Sequence, residues 1–177
     1  MTTLTTPRVT LRPLTPDDLP HVLAYRNDPD VARYQGWPLP ATPDAVATLV
    51  SDAPLGSPGW VQRAVTLHGG ALLGDVGLNT HGPQAELGVT LARPAQGHGY
   101  AHEALHALIT HAFTDLGLHR VHAGIDPRNT PVAALLTRLG FRHEGTSIQS
   151  YLHRGEWTDD ARYGLLASEW RGGAAEE

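Results

Sequence analysis

Gln96-Gly97-His98-Gly99-Tyr100-Ala101 lies between two periodic stretches. Residues 84–91 before it read as a strand. A helix follows from Gly99 to Leu116, with Ala101, Ala104, Leu105, Leu108, Ile109, Ala112, Phe113 and Leu116 on one stripe at helical period. Glycines let the backbone approach a ligand closely, and the first turn of a helix leaves several N–H groups without partners. A glycine turn feeding a core-packed helix is thus a candidate anion site, suited to a pyrophosphate, the alternative being simply a tight turn. A Rossmann fingerprint does not fit. It needs a small residue three places after Gly99, where His102 stands, and strands and helices already precede the turn.

Working outward, Arg8 to Leu14 alternate as a strand, and Thr15-Pro16-Asp17-Asp18 opens a helix that ends near Asn27. A helical turn, a loop over Tyr34 to Pro40 and a second helix from about Thr42 toward residue 52 follow. Strands are predicted at 60–67 and 71–79, with His68-Gly69-Gly70 as the hairpin turn between them. Past the helix closed by Gly117 come a strand at 120–125, a helix from Thr130-Pro131 to Gly140, and strands near 141–151 and 160–168. The fold class is α/β (α+β), with a mixed central sheet. The boundaries are one domain over 1–170 and a frayed tail over 171–177.

Composition excludes several chemistries. The 177 residues contain no cysteine and no lysine; all 13 basic residues are arginine. Thiolate nucleophiles, cysteine-held metals, Schiff-base chemistry and a Walker-type phosphate loop are excluded. A net charge of −5 with no basic cluster argues against nucleic acid as a partner. No apolar run approaches a membrane span and no secretory signal opens the chain, so no membrane partner and a cytoplasmic location are expected.

His102-Glu103-Ala104-Leu105-His106 matches H-E-x-x-H on a helix, the pattern of zinc hydrolases. The elongated form fails at Ile109 and Ala112, and no third ligand is evident. These side chains are therefore expected on the solvated face of the helix, with no functional metal.

The ordered set of motifs resembles the GCN5-related N-acetyltransferase (GNAT) superfamily. Gln96, Gly99 and Ala101 match its Gln/Arg-x-x-Gly-x-Gly/Ala signature. Glu86-Leu87-Gly88, Leu118-His119-Arg120-Val121, Asp126-Pro127-Arg128-Asn129, Leu139-Gly140-Phe141 and Gly155-Glu156-Trp157-Thr158-Asp159 follow in the order of the branch that contains ribosomal-protein alanine N-acetyltransferases. The resemblance implies two splayed parallel strands, 84–91 and 120–125, helices on both faces of the sheet, and acetyl-CoA as donor. Val89 and Leu91 would offer backbone groups to the pantetheine arm. Gln96, Gly97, His98, Gly99, Tyr100 and Ala101 would hold the pyrophosphate, Asn129 would reach the arm, and Arg138 a cofactor phosphate. It also admits a homodimer.

An amine attacks a thioester as the free base, so a proton has to leave it. Glu86 is the candidate base. Tyr151, or else Tyr34, is the candidate acid, because the serine many relatives carry is replaced by Val132; the alternative is that no acid is needed. Tyr34, Trp37, Tyr151 and Trp157 are candidate acceptor walls, Trp157 being expected mainly to pack. Acids at Asp28, Asp30, Glu86, Asp159 and Asp160 favour a cationic acceptor, either a protein N-terminus or a small cationic amine. The competing reading is an acyl-CoA sensor without turnover.

Overall fold

The structure, a computed structural model, describes residues 2–172. The expected tail lies outside the described residues from 173 onward. The elements are β1 (Leu4–Thr5), β2 (Val9–Arg12), α1 (Leu19–Arg26), α2 (Pro29–Ala32), α3 (Pro43–Ala47), β3 (Gly59–Leu67), β4 (Leu72–His81), β5 (Gln84–Leu91), α4 (Tyr100–Thr114), β6 (Arg120–Ile125), α5 (Thr130–Arg138), β7 (Arg142–His153) and β8 (Glu156–Leu166). The strands form one sheet in the order β1-β2-β3-β4-β5-β6-β8-β7. Every pairing is antiparallel except β5 with β6, which α4 joins by a crossover.

Helices cover both faces. α4 and α5 bury the larger core, where Leu105, Leu108, Ile109, Leu135 and Leu136 meet Val65, Val76, Leu78, Leu87, Val121 and Leu165. α1 to α3 cover the opposite face at the β2–β4 end, through Leu14, Val22, Tyr25, Val31, Val46 and Ala64. α1 starts from a charged anchor. Arg12 Nη1 and Nη2 donate to the Asp18 carboxylate at 2.7 and 2.8 Å, and Thr15 N–H adds a third donor at 2.8 Å. These bonds hold the Asp18 pKa down at about 2.

The second helix stops at Ala47, short of the predicted end. Ser51 Oγ accepts the Ala53 N–H at 3.1 Å, and Pro54 disfavours helical backbone at the residue before it. The last strand begins at Glu156 rather than 160 and ends at Leu166. There Glu169 accepts the Leu166 N–H at 3.0 Å and turns the chain into a short 3-10 segment.

Candidate active site at a fork in the sheet

β5 and β6 are in register only at Gln84↔Arg120, Ala85↔Val121 and Glu86↔His122. Beyond Glu86 they part, while β5 runs on to Leu91 and β6 to Ile125. The ladder fixes which groups face the gap. Ala92 N–H donates to Leu73 O, and the β4–β5 register has no shift between there and His81↔Gln84. Bonded and non-bonded pairs alternate in an antiparallel ladder. Thr90 and Gly88 are thus spent on β4, whereas Leu87, Val89 and Leu91 turn their N–H and C=O groups into the fork. Two side chains meet these carbonyls: Gln96 Nε2 donates to Leu91 O at 3.0 Å and Gln35 Nε2 to Val89 O at 3.3 Å.

Gln96 thereby ties the glycine turn to the end of β5, so its side chain acts on the protein rather than as an open donor to ligand. Gly97 and Gly99 take φ of 79° and 80°, the left-handed region that suits glycine. Among the described residues, no backbone or side-chain acceptor within the chain takes the N–H groups of residues 97–102; the first helical bond here runs from Glu103 N to Gly99 O. Arg8 Nη1 donates to His98 O at 2.8 Å, and its guanidinium lies over the Tyr100 ring at 5.0 Å, backing the turn from behind. The result is a concave run of donors at the positive end of α4.

A groove of about 670 Å³ runs from this turn to the fork, within the usual range of roughly 300–1,000 Å³ for small-molecule sites. Val89, Leu91, Gln96, Gly97, Gly99, Tyr100, Ala101, Asn129 and Arg138 all line it. Asn129 is the N-terminal flank of α5, and its side chain makes no capping bond. Arg138 is exposed at the end of α5, close enough to His102 to help depress the imidazole pKa, after burial and His106. His98 does not line the groove; its ring stacks on Tyr100 at 5.7 Å. These features fit acetyl-CoA: a donor run for its phosphates, and a strand-like slot between β5 and β6 for its amide-bearing arm.

A second hollow opens at the same fork. Tyr34, Gln35, Val89, Asn129 and Val132 border both spaces, so the two communicate. Glu86, Trp60, Tyr151, Asp126, Asp159, Asp160 and Arg162 complete it. The carboxylates differ. Asp126 is bound by Arg128 at 2.7 Å, which holds its pKa down, and Asp160 by Arg162 at 2.6 Å. Asp159 accepts the Gln149 N–H at 2.8 Å. Glu86 has no hydrogen-bond or ion-pair partner among the described residues, although it is only half-exposed. Tyr151 is exposed, and its hydroxyl abuts Gly36: a Cβ there would sit 2.7 Å from it.

Four expectations need correction. Asp28 and Asp30 are paired with Arg93 and lie outside this hollow. Trp157 does not pack and is 58% exposed. Trp37 is displaced to a neighbouring cavity, where Arg26 stacks on it at 4.4 Å. The H-E-x-x-H residues are only partly solvated. Glu103 accepts from Thr6 Oγ1 at 2.5 Å, Arg8 N at 2.7 Å and Arg8 Nε at 2.6 Å, fastening the N-terminal segment to α4, while the His106 ring packs on Trp170 at 5.0 Å. A carboxylate so engaged is not the free base of a hydrolase.

Sequence reasoning missed Gln35, Trp60 and Arg162. A buried network behind the hollow was also missed. Tyr25 Oη donates to Asp75, and Arg26 lies 3.6 Å from its other oxygen; burial raises the pKa of both Asp75 and Tyr25.

Residues 8–142 match the model of the acetyltransferase (GNAT) domain family. The uncharacterized N-acetyltransferase p20 of Bacillus licheniformis is 31% identical over 178 residues, covering 97% of this chain and 100% of that one. The ribosomal protein uS5-alanine N-acetyltransferase of Escherichia coli is 34% identical over 87 residues, 49% of this chain and 45% of that protein. Mycobacterium smegmatis RimJ, solved with CoA-disulfide, superposes with a TM-score of 0.80 at 26% identity, covering 95% of this chain and 87% of that chain. With a forked sheet, an open donor turn and relatives that run its length, the chain belongs to the GNAT family of acetyltransferases and takes acetyl-CoA as its acetyl donor.

Proposed function

We propose that the protein transfers the acetyl group to the primary amine of a cationic acceptor, a protein N-terminus or a small cationic amine, by direct attack. The observation that carries this reading is Glu86: it has no partner among the described residues, it lines the second hollow, and it is the last β5 residue in register with β6, where the fork opens. A carboxylate without a counter-charge is free to accept a proton, directly or through water. The Val89 N–H, turned into the fork, is the donor for the charge that develops on the thioester oxygen. Holding amine and thioester in line can supply roughly 7–11 kcal/mol of the barrier. Tyr34, which borders both spaces, is better placed than Tyr151 to protonate the departing thiolate.

Glu86 and Asp159, the two wall carboxylates with no arginine partner among the described residues, favour a positive acceptor. An α-amino group, with a pKa near 8, keeps an appreciable neutral fraction at neutral pH and is the preferred target. The test is thiol release from acetyl-CoA with a panel of amines: peptides with free N-termini, polyamines and aminoglycosides. The chain has no cysteine to raise the background. Turnover with acetylated amine as product is expected. Acetyl-CoA binding without turnover on any amine would leave the sensor reading.

A further inference from the structure

The β7–β8 hairpin reaches across the acceptor hollow to the segment after α2. Arg154, at the tip of the hairpin, donates through Nη1 to Ala32 O at 2.9 Å. Its Nη2 donates to Gln35 O at 3.1 Å and to Trp37 O at 3.0 Å. Its neighbour His153 donates through Nε2 to Arg33 O at 3.0 Å. Four carbonyls of one short segment are thus held by two adjacent residues some 120 positions away in sequence. A planar guanidinium presents its donors from separate nitrogens in a fixed fork, as the three carbonyls here require, whereas an ammonium presents its three from a single nitrogen. The held segment carries Tyr34, Gln35 and Gly36, which line the hollow, and Tyr151 on the hairpin abuts Gly36 from the far side. Hairpin and segment therefore meet as an arch over the hollow, with Gln35 hung from it onto Val89 O.

We propose that Arg154 is a positioning residue for acceptor selection: by fixing this arch it restricts the acceptor to an amine at the end of a flexible chain, which can thread beneath it, and excludes rigid, bulky amines. This rests on the amine-acceptor reading above. Arg154 touches neither the phosphate turn nor Glu86, so acetyl-CoA affinity is not its province.

The experiment compares wild type, Arg154→Ala and Arg154→Lys. The readouts are kcat and KM for a flexible cationic peptide and for an aminoglycoside, acetyl-CoA affinity by calorimetry, and hydrogen exchange of residues 33–37. Wild type is expected to favour the peptide. Arg154→Ala should raise the peptide KM about tenfold, narrow the peptide-to-aminoglycoside ratio of kcat/KM by about tenfold, and speed exchange at 33–37, with acetyl-CoA affinity within about threefold of wild type. Arg154→Lys should recover only part of the ratio. An unchanged ratio, or unchanged exchange at 33–37, overturns the arch while leaving the acetyltransferase reading intact. A wild type that acetylates no amine defeats the acceptor reading and the arch with it.

Discussion

The two sides of the fork are built from different materials. The donor side is made of backbone: the N–H and C=O groups of Leu87, Val89 and Leu91, and the unpaired N–H groups of residues 97–102. The acceptor side is made of side chains gathered from distant elements, with Tyr34 and Gln35 after α2, Trp60 on β3, Glu86 on β5, and Asp159 and Arg162 on β8. Backbone groups do not titrate and cannot be substituted away, so one donor chemistry suits a whole family. Side chains are free to vary, so under the proposed reading the acceptor side is where specificity would be set.

The sharpest way to separate the two is Glu86→Gln. It removes the proposed base and leaves the donor turn intact, so kcat should fall by 10²-fold or more with acetyl-CoA affinity unchanged. A fall in affinity instead would place Glu86 on the donor side. Next is the acid limb of stability. The Asp18 pKa is depressed to about 2 in the fold against about 3.9 in the unfolded chain. Its contribution is therefore full above pH 4 and is lost as the pH falls toward 2. That contribution is at most about 2.6 kcal/mol, less for screening at partly exposed Arg12. Asp18→Asn should flatten the urea-midpoint profile between pH 4 and 2; an unchanged profile would discard the anchor.

A smaller effect belongs to the donor side. Gly99→Val imposes a β-branched residue at φ 80° and brings its Cβ to 3.2 Å from Arg8 Nη2. Acetyl-CoA affinity should weaken about tenfold, equal to about 1.4 kcal/mol, while the acceptor KM stays put. Gln96→Ala comes last. It leaves Leu91 O without its donor and loosens the turn, for a loss of about 1 kcal/mol in acetyl-CoA binding, read by calorimetry.

The same division governs what the sequence discloses. The donor turn is local: six consecutive residues, two of them glycines before an apolar helix, carry its geometry, and the fork follows from two strands that the pattern already marks. The acceptor side is not local. Gln35 has no pattern to announce it; bonds with Ala32 and with Arg154, at the far end of the chain, fix its backbone where its side chain reaches Val89. Trp60 and Trp157 are alike in composition, yet one lines the hollow and the other faces away from it. Glu103 misleads for the same reason: its helix is readable, but its partners Thr6 and Arg8 come from a segment whose first strand is only two residues long.

The parting of β5 from β6 also has a cost for the molecule when it is idle. A strand whose pairing groups are unspent is an edge, and here that edge lies inside the sheet rather than at its rim. A ligand that lies along it completes the sheet as a missing strand would. Because such a ligand binds the folded chain and not the unfolded one, its binding free energy adds to the stability of the fold as well as serving the reaction.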